Sequence, residues 1–186
     1  MSETLVSRRK LLGYITAGAS GLLIPHTAMA VSAPPSEKEK TLALLNLHTG
    51  ESLNTTFCST QGYQPDSLAE INQLLRDHRN NKQCAMNIEL LELLVDLRQI
   101  LDTDKPFHVI SAYRSPETNK MLSQKSSGVA KKSLHMQGMA IDVRMPGVEL
   151  KDLHAAALAL KGGGVGLYTK SNFVHLDTGR VRRWGV

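Results

Sequence analysis

Ser133-Leu134-His135-Met136-Gln137-Gly138-Met139-Ala140-Ile141-Asp142 is the stretch on which the reading of this chain turns. His135 and Asp142, two metal-ligand residue types, stand seven positions apart. On one straight strand they would be separated by more than ~20 Å and could not act together. A helix would bring them onto one face, but Gly138 and the β-branched Ile141 and Val143 disfavour a helix here. The consistent reading is a turn at Gln137-Gly138 that folds His135 back over a strand carrying Asp142. On that strand, Met139 to Met145, the residues Ala140, Asp142 and Arg144 share one face, and Met139, Ile141 and Val143 share the other. Small Ala140 leaves room beside Asp142 for a ligand.

Downstream, Asn172-Phe173-Val174-His175-Leu176-Asp177 reads as a second strand with His175 and Asp177 on one face. His135, Asp142 and His175 together make two imidazoles and a carboxylate. Such a set leaves a fourth zinc position open, the pattern of a catalytic centre and not of a structural one. One Zn2+ per chain is expected, although His and carboxylate ligands suit several divalent ions. Zinc lowers the pKa of a water to about 7, which removes the need for a serine or cysteine nucleophile. His48, His78, His108 and His154 are read as turn, helix-face or packing residues.

The flanking segments predict a single α+β domain with N-terminal helices and a mainly antiparallel sheet. Thr41 to Leu47 and Glu51 to Phe57 read as strands joined at His48-Thr49-Gly50. A helix starts at Pro65-Asp66-Ser67, with Ser67 and Glu70 at capping-box spacing, and ends near Asn80-Asn81. A second runs from about Asn87 to Asp102, with Leu90, Leu91, Leu94, Leu97 and Leu101 on one face. Phe107 to Ala112 reads as a core strand, and Ser115-Pro116 as the cap and first residue of a short helix. Residues 126–134 form a polar loop, and Leu150 to Lys161 an Ala-rich helix. Gly162-Gly163-Gly164 breaks the chain before the strands Val165–Tyr168 and Phe173–Leu176.

The 186 residues carry a formal charge of +5, of which Arg8, Arg9 and Lys10 against Glu3 supply +2. The remaining +3 is too weak to argue for nucleic acid, and aromatics at 4% offer no stacking platform for it. Residues 1–30 read as an export signal. Arg8-Arg9 precede an apolar stretch of about twelve residues, too short for a membrane span, and Ala28-Met29-Ala30 is a small-x-small cleavage site. Paired arginines before a weakly apolar stretch resemble a twin-arginine signal, with an ordinary Sec signal as the alternative. The mature chain then starts near Val31, works in the periplasm and has no stable membrane insertion. Residues 31–40 form a mobile lead-in. In an oxidising compartment Cys58 and Cys84 either pair as a structural disulfide or remain two unrelated buried thiols.

The string His135-x-x-Gly138-x-Ala140-x-Asp142 resembles the zinc signature of the LAS metallopeptidases, which include D-Ala-D-Ala peptidases and the hedgehog fold. Ser111-Ala112-Tyr113-Arg114-Ser115 is similar to a Ser-Gly-Tyr-Arg-Ser segment of the D-Ala-D-Ala branch, in which the arginine binds and polarises substrate. Asn46-Leu47-His48-Thr49-Gly50-Glu51, Gly128-Val129-Ala130-Lys131-Lys132-Ser133 and Gly163-Gly164-Val165-Gly166 resemble that superfamily's murein endopeptidases. The likeness runs from about residue 41 to Trp184. It implies a zinc peptidase domain over 41–186 that cleaves stem-peptide cross-links of peptidoglycan, with a preference for links between diaminopimelate residues. Arg114 would engage substrate. Many relatives carry a Glu three residues before the last histidine, or a His two before it; here those positions are Asn172 and Phe173. Asp177 is the substitute, either as base or as a hydrogen-bonded orienter of His175. Two rival readings follow from the same resemblance: a non-catalytic zinc module that binds peptidoglycan or a protein, and a D,D-carboxypeptidase.

Overall fold

A computed structural model describes residues 39–126 and 128–185; the proposed signal and nearly all of the lead-in lie outside them. The elements are β1 (Lys40–Asn46), β2 (Ser52–Ser59), β3 (Gly62–Tyr63), α1 (Pro65–Leu74), α2 (Ile88–Ile100), β4 (Phe107–Ser111) and α3 (Pro116–Lys125). They continue with a 3-10 turn (Leu134–Gln137), β5 (Ala140–Arg144), α4 (Leu150–Leu160), β6 (Gly164–Tyr168), β7 (Phe173–Asp177) and β8 (Arg182–Trp184). All strands join one sheet in the order β3-β2-β1-β4-β5-β7-β6-β8. Only β1–β4 and β6–β8 pair in parallel, so the α+β class with a mainly antiparallel sheet holds.

Alternation along the strands splits the sheet into two chemistries. Leu42, Leu44, Val109, Ile141, Val143, Val174 and Leu176 are buried in a single core with the helices. In α2, Leu90, Leu91, Leu94 and Leu97 are all fully buried, and Leu93 and Val95 are nearly so. That breadth suits a helix enclosed by the sheet and α4. Asn87 caps it by accepting from Leu90 N–H at 3.0 Å. Ser115 caps α3 by accepting from Thr118 N–H at 3.2 Å, with Pro116 in the first turn, as its sequence predicts.

Several expectations differ. The capping box at Ser67 is absent, because Gln64 is the cap residue and Ser67 Oγ instead accepts from Thr55 Oγ1 at 3.1 Å. Helix α1 stops at Leu74, well before Asn80. The reason is Asp77, which is buried and accepts from the N–H groups of Arg79 at 3.1 Å and Ser115 at 2.9 Å. A carboxylate bonded to nearby backbone gives the chain an alternative to the next helical turn. Lys40 belongs to β1, so strand structure begins inside the predicted lead-in. Gly164 opens β6 and does not break the chain, and β8 was not expected at all. Cys58 is buried and Cys84 partly exposed, and both are thiols in this structure. No described helix is long and apolar enough to cross a membrane.

Candidate active site

The turn at Gly138 exists and does what the spacing required. Gly138 has φ 68°, a left-handed conformation, and closes the 3-10 turn that carries His135. A Cβ there would lie 2.5 Å from the Ala85 carbonyl oxygen, so only glycine fits without movement. The chain then enters β5, which pairs antiparallel with β7, and the register sets Asp142 directly opposite His175 and Ala140 opposite Asp177. Ligand atoms of His135, Asp142 and His175 all lie within 4.8 Å of one another. His48, His78, His108 and His154 do not join them; His48 and His78 stack on each other instead, 3.9 Å apart.

Hydrogen bonding fixes which atoms face inward. His135 Nδ1 lies 2.6 Å from the Ala112 carbonyl, which can only accept, so Nδ1 carries the proton and Nε2 offers a lone pair. His175 Nε2 lies 3.0 Å from Asp177 Oδ2, so this nitrogen donates and Nδ1 faces His135 and Asp142. His135 Nε2, His175 Nδ1 and Asp142 Oδ1 are then three acceptors, at 3.3 Å between the nitrogens and 3.4 and 2.8 Å to the carboxylate. Ligands of one tetrahedral zinc, at about 2.0–2.1 Å from it, sit about 3.3–3.4 Å apart, a spacing that two of the three separations match and the His175–Asp142 one undershoots. Facing lone pairs repel unless positive charge lies between them, so the donor set fits a divalent cation. The same demand acts on protons. Burial pushes the His175 imidazolium towards neutrality, but hydrogen bonds to Asp142 and Asp177 outweigh it and raise its pKa. Burial likewise opposes ionisation of Asp142, yet His135 and His175 hold its carboxyl far below the usual carboxylate range.

Asp177 is fully buried and crowded with donors. Oδ1 accepts from Gly164 N–H at 3.2 Å, Gly179 N–H at 2.9 Å and Arg182 Nη1 at 2.9 Å. Oδ2 accepts from Arg182 Nη2 at 2.7 Å as well as from His175. Burial would raise its pKa, but His175, Arg182 and the Gly179 N–H together lower it well below the ordinary value.

The triad opens into a cleft of about 490 Å3. Its lining includes Arg114, Lys132, Tyr168, Phe173, Arg182 and Trp184, and among the described residues its carboxylates are Asp142 and Asp177. Arg114 follows β4 on a segment clamped by Tyr113 N–H to the Leu75 carbonyl at 3.0 Å, and by Arg114 N–H to the His135 carbonyl at 3.1 Å. Its Nη1 donates to Asn119 Oδ1 at 3.3 Å, while Nε finds no partner among the described residues. Burial lowers its pKa, yet a guanidinium stays charged at neutral pH. On the other side, Trp184 Nε1 donates to the Tyr168 hydroxyl at 2.9 Å, and Tyr168 stacks on Phe173 at 4.6 Å.

This chain is similar in sequence to known proteins. The chain matches the family described as peptidoglycan L,D-endopeptidase MepK over residues 34–184. The chain belongs to this MepK family. It is 42% identical over 184 residues to the peptidoglycan L,D-endopeptidase MepK of Escherichia coli K12, covering 99% of this chain and all of that protein. The Shigella flexneri protein of the same name gives the same values. A probable peptidoglycan L,D-endopeptidase MepK of Haemophilus influenzae is 38% identical over 174 residues, covering 93% of this chain and 91% of that protein.

In this MepK-family chain the structure gathers all five residues singled out from sequence: His135, Asp142, His175, Arg114 and Asp177 line one cleft. Sequence reading missed Arg182, Trp184 and the clamp at Asp77. A signal for the first two was present: Gly164-Val165-Gly166 leaves two alternate positions of a strand without side chains, which invites side chains from a neighbouring strand.

Proposed function

We propose that this chain is an exported zinc-dependent murein endopeptidase that hydrolyses stem-peptide cross-links of peptidoglycan between diaminopimelate residues. The observation that carries the reading is the convergence of three lone pairs on one point of an open cleft, in a chain of the MepK family. The relatives' names support the substrate class, and a wall substrate supports a site of action in the periplasm.

When bound, zinc supplies a Lewis acid for the scissile carbonyl and a water of lowered pKa. His135, Asp142 and His175 are its ligands, through Nε2, Oδ1 and Nδ1. Arg114, whose side chain lines the cleft, engages a substrate carboxylate or the negative charge that develops on the carbonyl oxygen. Lys132 adds positive charge to a cleft whose two carboxylates are already engaged. Asp177 is the orienter of His175 and not the base: its oxygens already accept from five donors, and a carboxylate held so far below its usual pKa takes up a proton poorly.

Incubation of the purified protein with defined muropeptides tests this. Dimers linked through two diaminopimelate residues should fall to monomers. Loss of terminal D-alanine alone points to a D,D-carboxypeptidase, and an unchanged digest with zinc bound points to a binding module. Arg114→Ala should lower turnover about a hundredfold with zinc content unchanged. Export by the twin-arginine route rests on Arg8-Arg9 alone. Changing both to Lys should leave an unprocessed precursor in the cytoplasm, and normal periplasmic accumulation would assign the Sec route.

A further inference from the structure

Three adjacent strands repeat one arrangement twice. In the register of β7, β6 and β8, Asp177 lies opposite Gly164, which lies opposite Arg182; two residues along, His175 lies opposite Gly166, which lies opposite Trp184. In each row the middle position has no side chain. Neighbouring strands are about 4.8 Å apart, so β8 and β7 are separated by roughly twice that, too far for ordinary cross-strand contact. The gaps let side chains cross. A Cβ on Gly164 would lie 2.3 Å from Arg182 Nη1 and 2.5 Å from Asp177 Oδ2, and one on Gly166 would lie 2.5 Å from the Trp184 indole. Arg182 therefore reaches over β6 to grip Asp177 with both Nη atoms. Trp184 lies 5.1 Å from the His175 ring. The Arg182 guanidinium also sits over the Trp184 ring at 4.8 Å, which holds the fork in place.

We infer that Arg182, crossing β6 through the gap at Gly164, is a positioning residue for His175: it fixes the Asp177 carboxylate so that His175 presents Nδ1 to the cleft. The inference rests on the metal-centre reading above. A two-pronged guanidinium sets the rotation of a carboxylate, which a single lysine ammonium does not. With Oδ1 occupied by two backbone N–H groups and one Arg182 nitrogen, Oδ2 is the oxygen left for the imidazole. The fork thus selects which oxygen His175 meets and, through it, which ring nitrogen keeps its lone pair.

Three variants of the full chain, Arg182→Gln, Arg182→Lys and Gly164→Ala, test it. The readouts are zinc affinity by competition with a chromophoric chelator, the His175 tautomer from 15N imidazole shifts of the zinc-free protein, and thermal unfolding. Arg182→Gln should weaken zinc binding about 10- to 100-fold and shift His175 away from the Nε2–H tautomer. Arg182→Lys should recover part of the affinity. Gly164→Ala, which leaves every polar group in place but fills the gap, should resemble Arg182→Gln. A merely structural clamp for β8 would lower thermal stability and leave tautomer and affinity alone. Arg182→Gln binding zinc within about twofold of wild type, with the tautomer unchanged, would overturn the inference. Should that variant not fold, wild-type affinity and tautomer in Arg182→Lys would overturn it equally. Wild-type protein that binds no zinc would instead remove the metal centre itself, and the inference with it.

Discussion

The two histidines of the cleft are held by different means. His135 sits on a 3-10 turn and donates to a backbone carbonyl, that of Ala112. His175 sits mid-sheet and donates to a side chain, Asp177, itself gripped by Arg182. A backbone acceptor cannot be removed by substitution and offers a fixed dipole. A carboxylate brings full charge, raises the basicity of its imidazole partner and can be altered by one mutation. The first region therefore supplies rigidity and the second supplies tuning.

The largest effect belongs to the group both regions share. Asp142 Oδ1 faces both imidazoles, so Asp142→Ala should take bound zinc well below one per chain and abolish hydrolysis. Elemental analysis of the purified variant checks it, and full zinc retention would end the assignment of that ligand. Next comes Asp177→Asn, which strikes the tunable side only. It should weaken zinc about 10- to 100-fold, with activity returning in excess metal. It also leaves Arg182 without its anion. Because that side chain keeps 31% of its surface exposed, the stability cost is put at about 1–3 kcal/mol, below the figure for a fully buried pair. Full zinc affinity with turnover lowered ~10²-fold would make Asp177 the base instead, and the two regions would then differ in chemistry and not merely in tuning.

The same contrast explains what could be read from the sequence. Local rules carried the Asn87 to Asp102 helix, the Ser115 cap and the Gly138 turn, since the residues that decide each lie within a few positions of one another. The approach of Asp142 to His175 was legible because each alternates with apolar residues on its strand, β5 or β7, which fixes the face it shares. What escaped depends on distant partners. Asp77 ends α1 by bonding Ser115, and no periodicity in residues 65–81 announces that. Strand β8 is three residues long, rich in arginine and at the sheet edge, so it carries no alternation. Its meaning comes from the gaps on β6, of which Gly164 reads in sequence as part of a chain break and Gly166 as an ordinary strand position.

The smallest effect should come from the rigid side, and it sharpens the comparison most. His135's carbonyl partner cannot be deleted, so the only handle is the backbone that aims the ring. Gly138→Ala is that handle: φ 68° disfavours any L side chain by about 1–2 kcal/mol, and the added methyl meets the Ala85 carbonyl oxygen at 2.5 Å. The Gly138 carbonyl also accepts from Asn87 N–H at 2.9 Å, so the turn is tied to the start of α2 and has little freedom to yield. Strain should therefore appear as lost stability, with Tm lowered by about 2–4 °C for each kcal/mol in a domain of this size. Zinc affinity should fall less than about tenfold, because the Ala112 carbonyl still fixes the His135 tautomer wherever the ring settles. Differential scanning calorimetry and chelator competition on one preparation give both numbers. A zinc loss as large as that of Asp177→Asn, with Tm unchanged, would mean that the turn and not the carbonyl holds His135, and the division into a rigid and a tunable side would fail.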